Sequence, residues 1–363
     1  MNLKEEGIVQ TVRDETLRGR TLLKSLLPKI AVQTRFADVY SATKQRFVRS
    51  HATIVQYHRV TDRTKNWALG SISISPRSFR DHIEYFMSRY EIVPLDDILQ
   101  GLQERELGHG KLAITFDDGY RDNYAEAYPI LAKYSLPFTV FLITGHIGTG
   151  EPLWWDRVGY AVCKTDVCRL ELGELGNYSL GSSVESRDRV SSLIINKLKS
   201  LQRSRRKVLA EEITKACRLT IPHHAAKQMM LSWEEVKRMS RDGVEFGAHS
   251  VTHPNLLTSS TSEARWEILH SKRDLERKLA KKAKFFAYPY GALENRVIRL
   301  VREQGFEGAV NVSQTWVTRS DNPYLLARIG AVEDLSGLKL LLSGIWGDIE
   351  ARKVGRYLIP GFR

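Results

Sequence analysis

The chain has 363 residues, 42% of them hydrophobic and 27% charged, with 25 Gly and 11 Pro; this is a globular composition and excludes collagen-like, disordered and disulfide-scaffold classes. A formal net charge of +13 concentrates in residues 199–207 (KSLQRSRRK) and 272–284 (KRDLERKLAKKAK). No apolar stretch approaches the ~18–20 residues of a membrane span, and no RNP, C2H2 or helix-turn-helix pattern accompanies the positive charge, so no nucleic-acid partner is expected.

In chain order, residues 1–50 read as a helical appendix, because Leu17, Leu22, Leu23, Leu26 and Leu27 fall at helical spacing. The opening MNLKEEGIVQ lacks the basic and apolar regions of a secretory signal, so a cytoplasmic location is expected. From residue 51, short β-branched or aromatic runs alternate with helical patterns, as in parallel βα units. The runs are TIVQYH (53–58), LAITFDD (112–118), FTVFLIT (138–144), VEFGAH (244–249), FFAYPY (285–290), FEGAVNV (306–312) and LLARIGAV (325–332). They predict seven strands in an α/β barrel domain over 51–345. EIVPL (91–95) is a shorter extended piece, with Asp96 as the expected cap of a helix from Asp97.

Residues 151–230 contain no strong strand run and read as a mainly helical insertion. Near the end, Leu338, Leu341, Leu342, Ile345 and Ile349 share one helical face, ahead of Arg352, Lys353 and Arg356 in a basic tail over 346–363. That pattern suits a last barrel helix or a helix lying on an anionic membrane surface. Cys163, Cys168 and Cys217 show no CxxC spacing and read as reduced thiols.

Parallel barrels gather reactive residues at the C-terminal ends of their strands. Four clusters here occupy such positions: His58, Asp117 with Asp118, His249 with His253, and Tyr288 to Gly291. Adjacent carboxylates ending an apolar strand are costly unless a cation or hydrogen bonds compensate them, and Gly119 permits the sharp turn that points both inward. His249 and His253 stand four apart, a spacing that aims two imidazoles at one ion from a helical turn, which Pro254 ends. With Asp118 they form a two-His, one-carboxylate set whose open positions suit hydrolysis by an activated water, leaving Asp117 as base. Non-haem iron oxygenases use such a triad on a double-stranded β-helix, a fold the βα alternation disfavours.

Together TFDDGY (115–120), HSVTH (249–253) and AYPYG (287–291), in this order and each after a strand, resemble the polysaccharide deacetylase family, the NodB-homology fold of carbohydrate esterases, over about residues 51–332. YHRV (57–60), SISPRSF (73–79) and LSWEEV (231–236) resemble one branch of it. The resemblance implies a deformed (β/α)7 barrel and metal-dependent removal of N-acetyl groups from amino sugars of a polysaccharide, oligosaccharide or lipid-linked glycan. It further implies Asp117 as general base, Asp118, His249 and His253 as ligands of one divalent ion, and the Tyr290 backbone N–H as an oxyanion donor. Zinc is the default ion; nickel, cobalt, manganese and iron also suit the donor set.

The chain departs from the family pattern twice. The Arg that usually tethers the catalytic Asp is replaced by Ala287, with Tyr288 in the first Pro position, and Arg328 in the last strand run is the candidate substitute. No histidine follows His270 to serve as the usual late general acid, so His58 is the expected proton donor to the leaving amine. Trp154, Trp155 and Asp156 at the start of the insertion, with Tyr288 and Arg328, are the expected substrate-binding residues. Alternatives in other classes are a deformylase of a lipid-linked amino sugar and a non-catalytic carbohydrate-binding relative. The basic faces fit either work at the inner membrane surface or an anionic exopolysaccharide outside the cytoplasm.

Overall fold

The computed structural model describes residues 39–40, 43–44, 50–63, 67–291, 293–345 and 347. The chain divides into two compact units, Ser50–Ala331 and a second made of Met1–Arg49 with Val332–Arg363.

Seven parallel strands build the first unit: β1 (His51–Tyr57), β2 (His109–Phe116), β3 (Thr139–Leu142), β4 (Glu245–Ala248), β5 (Phe285–Ala287), β6 (Gly308–Val310) and β7 (Ile329–Gly330). They lie in the order β6-β5-β4-β3-β2-β1, with β7 parallel to β1 beyond it. A single parallel bridge between Val310 and Leu326 brings the segment before β7 back to β6, closing the sheet into a distorted seven-stranded barrel. The last run, LLARIGAV, supplies only two residues of regular strand, because Pro323–Leu325 is a 3₁₀ turn. Every residue of β1 is buried, as expected of a parallel strand covered on both faces.

Side-chain alternation along the strands creates the site. Ala52 and Ile54 of β1 and Ala113 of β2 join Phe141, Phe285 and Ala287 in one apolar cluster with Ile98, Leu99 and Leu102. Each such side chain contributes about 1.5–3 kcal/mol of burial when it is Leu, Ile or Phe. The same alternation continued toward the strand ends places Gln56 in register with Ala52 and Ile54, and Thr115 and Asp117 in register with Ala113. Thus one strand face is apolar at one end and polar at its C-terminal end.

Helix α1 (Pro76–Arg89) is capped by the Ser75 side chain and buries Phe79, His82, Ile83 and Phe86. Helix α2 (Leu95–Gln103) begins two residues before the expected start: Pro94 occupies the cap without a side-chain bond. Asp96 instead receives Lys284 Nζ at 2.6 Å, so its carboxylate serves an ion pair rather than a cap.

The stretch 151–230 holds α3 (Trp154–Lys164), α4 (Val184–Lys199) and α5 (Arg203–Ala216). It also contains an antiparallel hairpin, Arg169–Glu171 with Asn177–Ser179, that periodicity missed. Three-residue strands with one buried apolar side chain, Leu170, are too short to show alternation. Beyond the insertion come α6 (Trp233–Arg241) and α7 (Thr261–Leu279), each opened by a capping box, Ser232 with Glu235 and Ser260 with Glu263.

In the second unit, α8 (Leu335–Leu342) is capped by Asp334 and buries Leu338 and Leu342. Leu17, Leu22, Leu23, Leu26 and Leu27, and likewise Ile349, Arg352, Lys353 and Arg356, lie outside the described residues. No helix among the described residues is long and apolar enough to cross a membrane. The three cysteines are free.

Candidate active site

Asp117 and Asp118 follow β2 directly. The chain reverses there through left-handed backbone at Asp118 (φ 74°) and Gly119 (φ 82°). At Gly119 a Cβ would lie 2.7 Å from Leu142 Cδ2 and 2.9 Å from Ile147 Cδ1, so glycine is required by both conformation and packing. Arg121, just beyond, is clamped by Glu235 of α6 at 2.8 Å.

Asp117 is 1% exposed and fully engaged. Arg328 Nη1 donates to Oδ1 and Nη2 to Oδ2, both at 2.7 Å, and Gln56 Nε2 donates to Oδ2 at 2.5 Å. Arg328 is itself 0% exposed and is held by the Asn311 carbonyl and Thr115 Oγ1, each at 3.2 Å. Burial alone would raise the Asp117 carboxyl, but the fork of Arg328 overrides it and holds the group well below the usual carboxylate range. Asp117 is therefore an ionised base at neutral pH.

Asp118, His249 and His253 converge, their ligand atoms all within 4.8 Å of one another. The two Nε2 atoms are 3.1 Å apart, and Asp118 Oδ1 lies 3.6 Å from that of His249 and 3.8 Å from that of His253. Ligands about 2.0–2.1 Å from a tetrahedral ion stand about 3.4 Å apart, so the triangle has the size a zinc-like ion needs. His249 Nδ1 donates to the Ala287 carbonyl at 2.8 Å, which leaves its Nε2 lone pair for a metal. Burial, chiefly, raises Asp118 and lowers both histidines. Two neutral imidazoles beside a buried carboxylate fit a divalent cation.

The histidine pair does not sit on a helical turn. His249 ends β4, and the chain then runs through irregular backbone with Ser250 (φ 64°) and His253 (φ 53°) left-handed. This loop is held by Glu267 of α7: Oε2 accepts from the N–H groups of Val251 and Thr252, both at 2.8 Å, and Oε1 from the Thr252 hydroxyl. Backbone donors that a helix would have satisfied internally are satisfied instead by one buried carboxylate.

Aromatic groups wall the site behind His253, whose ring meets Trp155 and Tyr290 edge-on at 4.8 and 4.4 Å. Trp155 Nε1 donates to Tyr120 Oη at 2.8 Å, and Tyr120 donates to Asp156 Oδ2 at 2.9 Å. Asp156 is 0% exposed, and burial pushes its carboxyl up to about 6. The expectation that Asp156 binds sugar hydroxyls is thereby corrected: its oxygens cannot be reached and it anchors Tyr120.

Arg328, expected at the substrate, is sealed beneath Asp117. Tyr288 is almost wholly buried, and its hydroxyl donates to the Tyr324 carbonyl at 3.0 Å, although its ring lines the cavity. Trp155 lines that cavity too, whereas Trp154 lines a neighbouring one.

The metal-side cavity measures about 270 Å³ and is bordered by His58, Asp117, Asp118, His249, His253 and Tyr290, with Lys199 from α4. His58 follows β1, and its carbonyl accepts from Asn123 Nδ2 at 2.8 Å. Burial, reinforced by the Arg328 charge and opposed by Asp117, lowers its ring to about 4, so it rests neutral. Tyr290 occupies a left-handed turn (φ 59°).

Gln56, Lys199 and Glu267 escaped the sequence reading. Gln56 had a signal, as the one amide in the TIVQYH strand run; the other two lie in charged helical patterns that read as solvated faces.

A family model described as polysaccharide deacetylase matches residues 104–165 and 199–309, spans that contain both aspartates, both histidines and Tyr290. The unmatched residues between them fall in the insertion, and His58 and Arg328 lie outside the match. A putative polysaccharide deacetylase, YxkH, of Bacillus subtilis is 19% identical over 286 residues, covering 78% of this chain and 72% of the relative. The poly-β-1,6-N-acetyl-D-glucosamine N-deacetylase of Staphylococcus aureus is 21% identical over 318 residues, covering 82% of this chain and 84% of that one. Among solved structures, the Streptococcus pyogenes deacetylase PplD in complex with acetate superposes with a TM-score of 0.53 at 20% identity, over 81% of this chain and 98% of its own. With the motifs at the strand ends of a barrel of the same fold, this chain is similar to the polysaccharide deacetylases over the matched spans.

Proposed function

We propose that the protein is a metal-dependent hydrolase that removes N-acetyl groups from amino sugars of a glycan. The observation that carries this reading is the convergence of Asp118, His249 and His253 beside an ionised Asp117 that ligates nothing in that triangle. Zinc is the favoured ion, held by Asp118 Oδ1 and the two Nε2 atoms; bound there, it would polarise the amide carbonyl and acidify a water.

The chain's own groups divide the remaining work. Asp117 accepts the proton of the attacking water, and its pairing with Arg328 and Gln56 keeps it ionised and oriented for that task. The Tyr290 N–H, in its left-handed turn at the cavity, is the donor for the developing oxyanion. His58, neutral at rest, receives the proton that Asp117 took from the water and passes it to the leaving nitrogen. Trp155, Tyr290 and Tyr288 exclude bulk water around these groups.

The basic segments favour a site of action at an anionic surface, and the inner face of the membrane is the location we favour. The test is mass spectrometry of metal-loaded enzyme incubated with N-acetylated oligosaccharides and with N-formylated lipid-linked amino sugars. Loss of acetyl groups that vanishes in Asp117→Asn supports the reading; formate release alone, or turnover by Asp117→Asn, overturns it.

A further inference from the structure

Helix α4 ends at Lys199 and α5 begins at Arg203, so one turn of the insertion sets down Lys199, Arg203 and Arg206. Lys199 borders the metal-side cavity, its Nζ 5.7 Å from the centre of the Tyr290 ring. Arg206 is 4% exposed, yet its guanidinium has no ion-pair or hydrogen-bond partner among the described residues, and its Nη1 is shut off from solvent. It lies over the Trp154 ring at 5.0 Å, and Trp154 Nε1 in turn donates to the Tyr290 hydroxyl at 3.3 Å. A guanidinium removed from water without a counter-ion is expensive, and such a group beside a reaction centre marks a place for an anion.

Arg206 forms a wall shared by two cavities, one of about 290 Å³ with Trp154 and Trp155, the other of about 960 Å³ with Asn255 and Trp266. Its charge reaches His253 and Tyr290, and Trp155 borders both the 290 Å³ cavity and the metal-side one. Arg203 stands 3.7 Å from Glu267 Oε1 and is partly neutralised, whereas Arg206 has no such neighbour. Trp266 is 47% exposed and offers an apolar wall to a sugar ring.

We propose that Arg206 is an anion subsite for an acidic group of the glycan, a sugar phosphate or a uronate carboxylate near the N-acetylated residue. This rests on the deacetylase reading and names its substrate class. The planar fork of arginine pairs with either oxyanion through two parallel hydrogen bonds, which a neutral sugar does not supply.

The test is calorimetric titration of the full-length protein with N-acetylglucosamine 1-phosphate, glucuronic acid and neutral N-acetylglucosamine. Arg206→Met keeps the stem over Trp154 and removes the charge; Arg206→Lys keeps a charge without the fork and guards against a misfolded Met variant. The expected result is at least a tenfold preference of wild type for an acidic probe. The Met variant loses it by about ten- to hundredfold in Kd while its affinity for the neutral sugar holds, and the Lys variant falls between. Whichever acidic probe binds better identifies phosphate or carboxylate. Equal binding of acidic and neutral probes by wild type, or an intact preference in Arg206→Met, overturns the subsite. Hydrolysis of a neutral N-acetylated oligosaccharide, measured alongside, reports on the deacetylase reading separately: hydrolysis without acidic preference removes the subsite alone.

Discussion

Arg328→Met is the substitution that most directly tests how the base is kept active. It removes both 2.7 Å bonds to Asp117 and leaves Gln56 as the remaining side-chain donor to a carboxylate that is 1% exposed. Breaking a buried pair by deleting one partner costs about 3–5 kcal/mol, because the surviving charge stays buried. At about 2–4 °C per kcal/mol for a domain of this size, Tm should fall by about 6–20 °C. The direction of the Asp117 shift should also reverse: burial alone raises a carboxyl, and buried examples reach about 8–9. At pH 7 about one to ten per cent of Asp117 would then be ionised, so kcat/KM on an N-acetylated oligosaccharide should drop about ten- to hundredfold and recover toward pH 9. In wild type the base ionises at low pH, so no such limb should appear near neutrality. Arg328→Met combined with Asp117→Asn should regain much of the lost Tm, since no unpaired charge remains. An Arg328→Met enzyme with a wild-type pH profile between 6 and 9 would refute the tether.

Further outcomes follow from the same geometry. His249→Ala should abolish metal retention by elemental analysis, whereas Asp117→Asn should keep the metal and lose turnover. Glu267→Ala removes three acceptor contacts from the loop that carries His253, and metal affinity by competition with a chelator should weaken about 10–100-fold with all three ligands intact. His58→Ala should slow amide hydrolysis about 10²–10⁴-fold while sparing an aryl acetate, whose leaving group needs no proton; equal losses on both would remove His58 as acid. Asp156, raised to about 6 from an ordinary 3.8, holds its proton more tightly folded than unfolded. Its contribution is complete below about pH 4 and is lost as pH rises through 6, so from pH 4 to 7 wild type should lose up to about 3 kcal/mol of unfolding free energy that Asp156→Asn does not.

The barrel and the metal triangle were legible because both are written in local patterns. Apolar runs of the right length announced the strands, and carboxylates or imidazoles at their ends had no reason to be there except chemistry. Asp118, His249 and His253 needed only the rule that strand ends share one face. What failed was local geometry. The His249–His253 spacing suited a helical turn, but left-handed Ser250 and His253 and the distant carboxylate of Glu267 decided otherwise. Asp156 looked like a sugar ligand because it follows two tryptophans, yet the ring of Tyr120 and the packing of α3 enclose it.

The insertion marks where local reading stops. Residues 199–207 form a run of like charge, and on a helix such a run ordinarily faces water. Which of its members face water is set by how α4 and α5 pack on α3, and the contacts that decide it are between helices far apart in sequence. The packing turns Lys199 and Arg206 inward and leaves Lys207 at a cavity rim. A positive charge in the sequence therefore carried the sign of the ligand without its address. The same holds for Arg328: a lone arginine in an apolar run has no local meaning, and its two bonds to Asp117 arise only because β7 lies parallel to β1 and so stands next to β2 but one. Where a family's usual tethering arginine is replaced by Ala287, the charge can be supplied from any strand that reaches the same end of the barrel, since what the base needs is a fork at 2.7 Å and not a particular place in the chain.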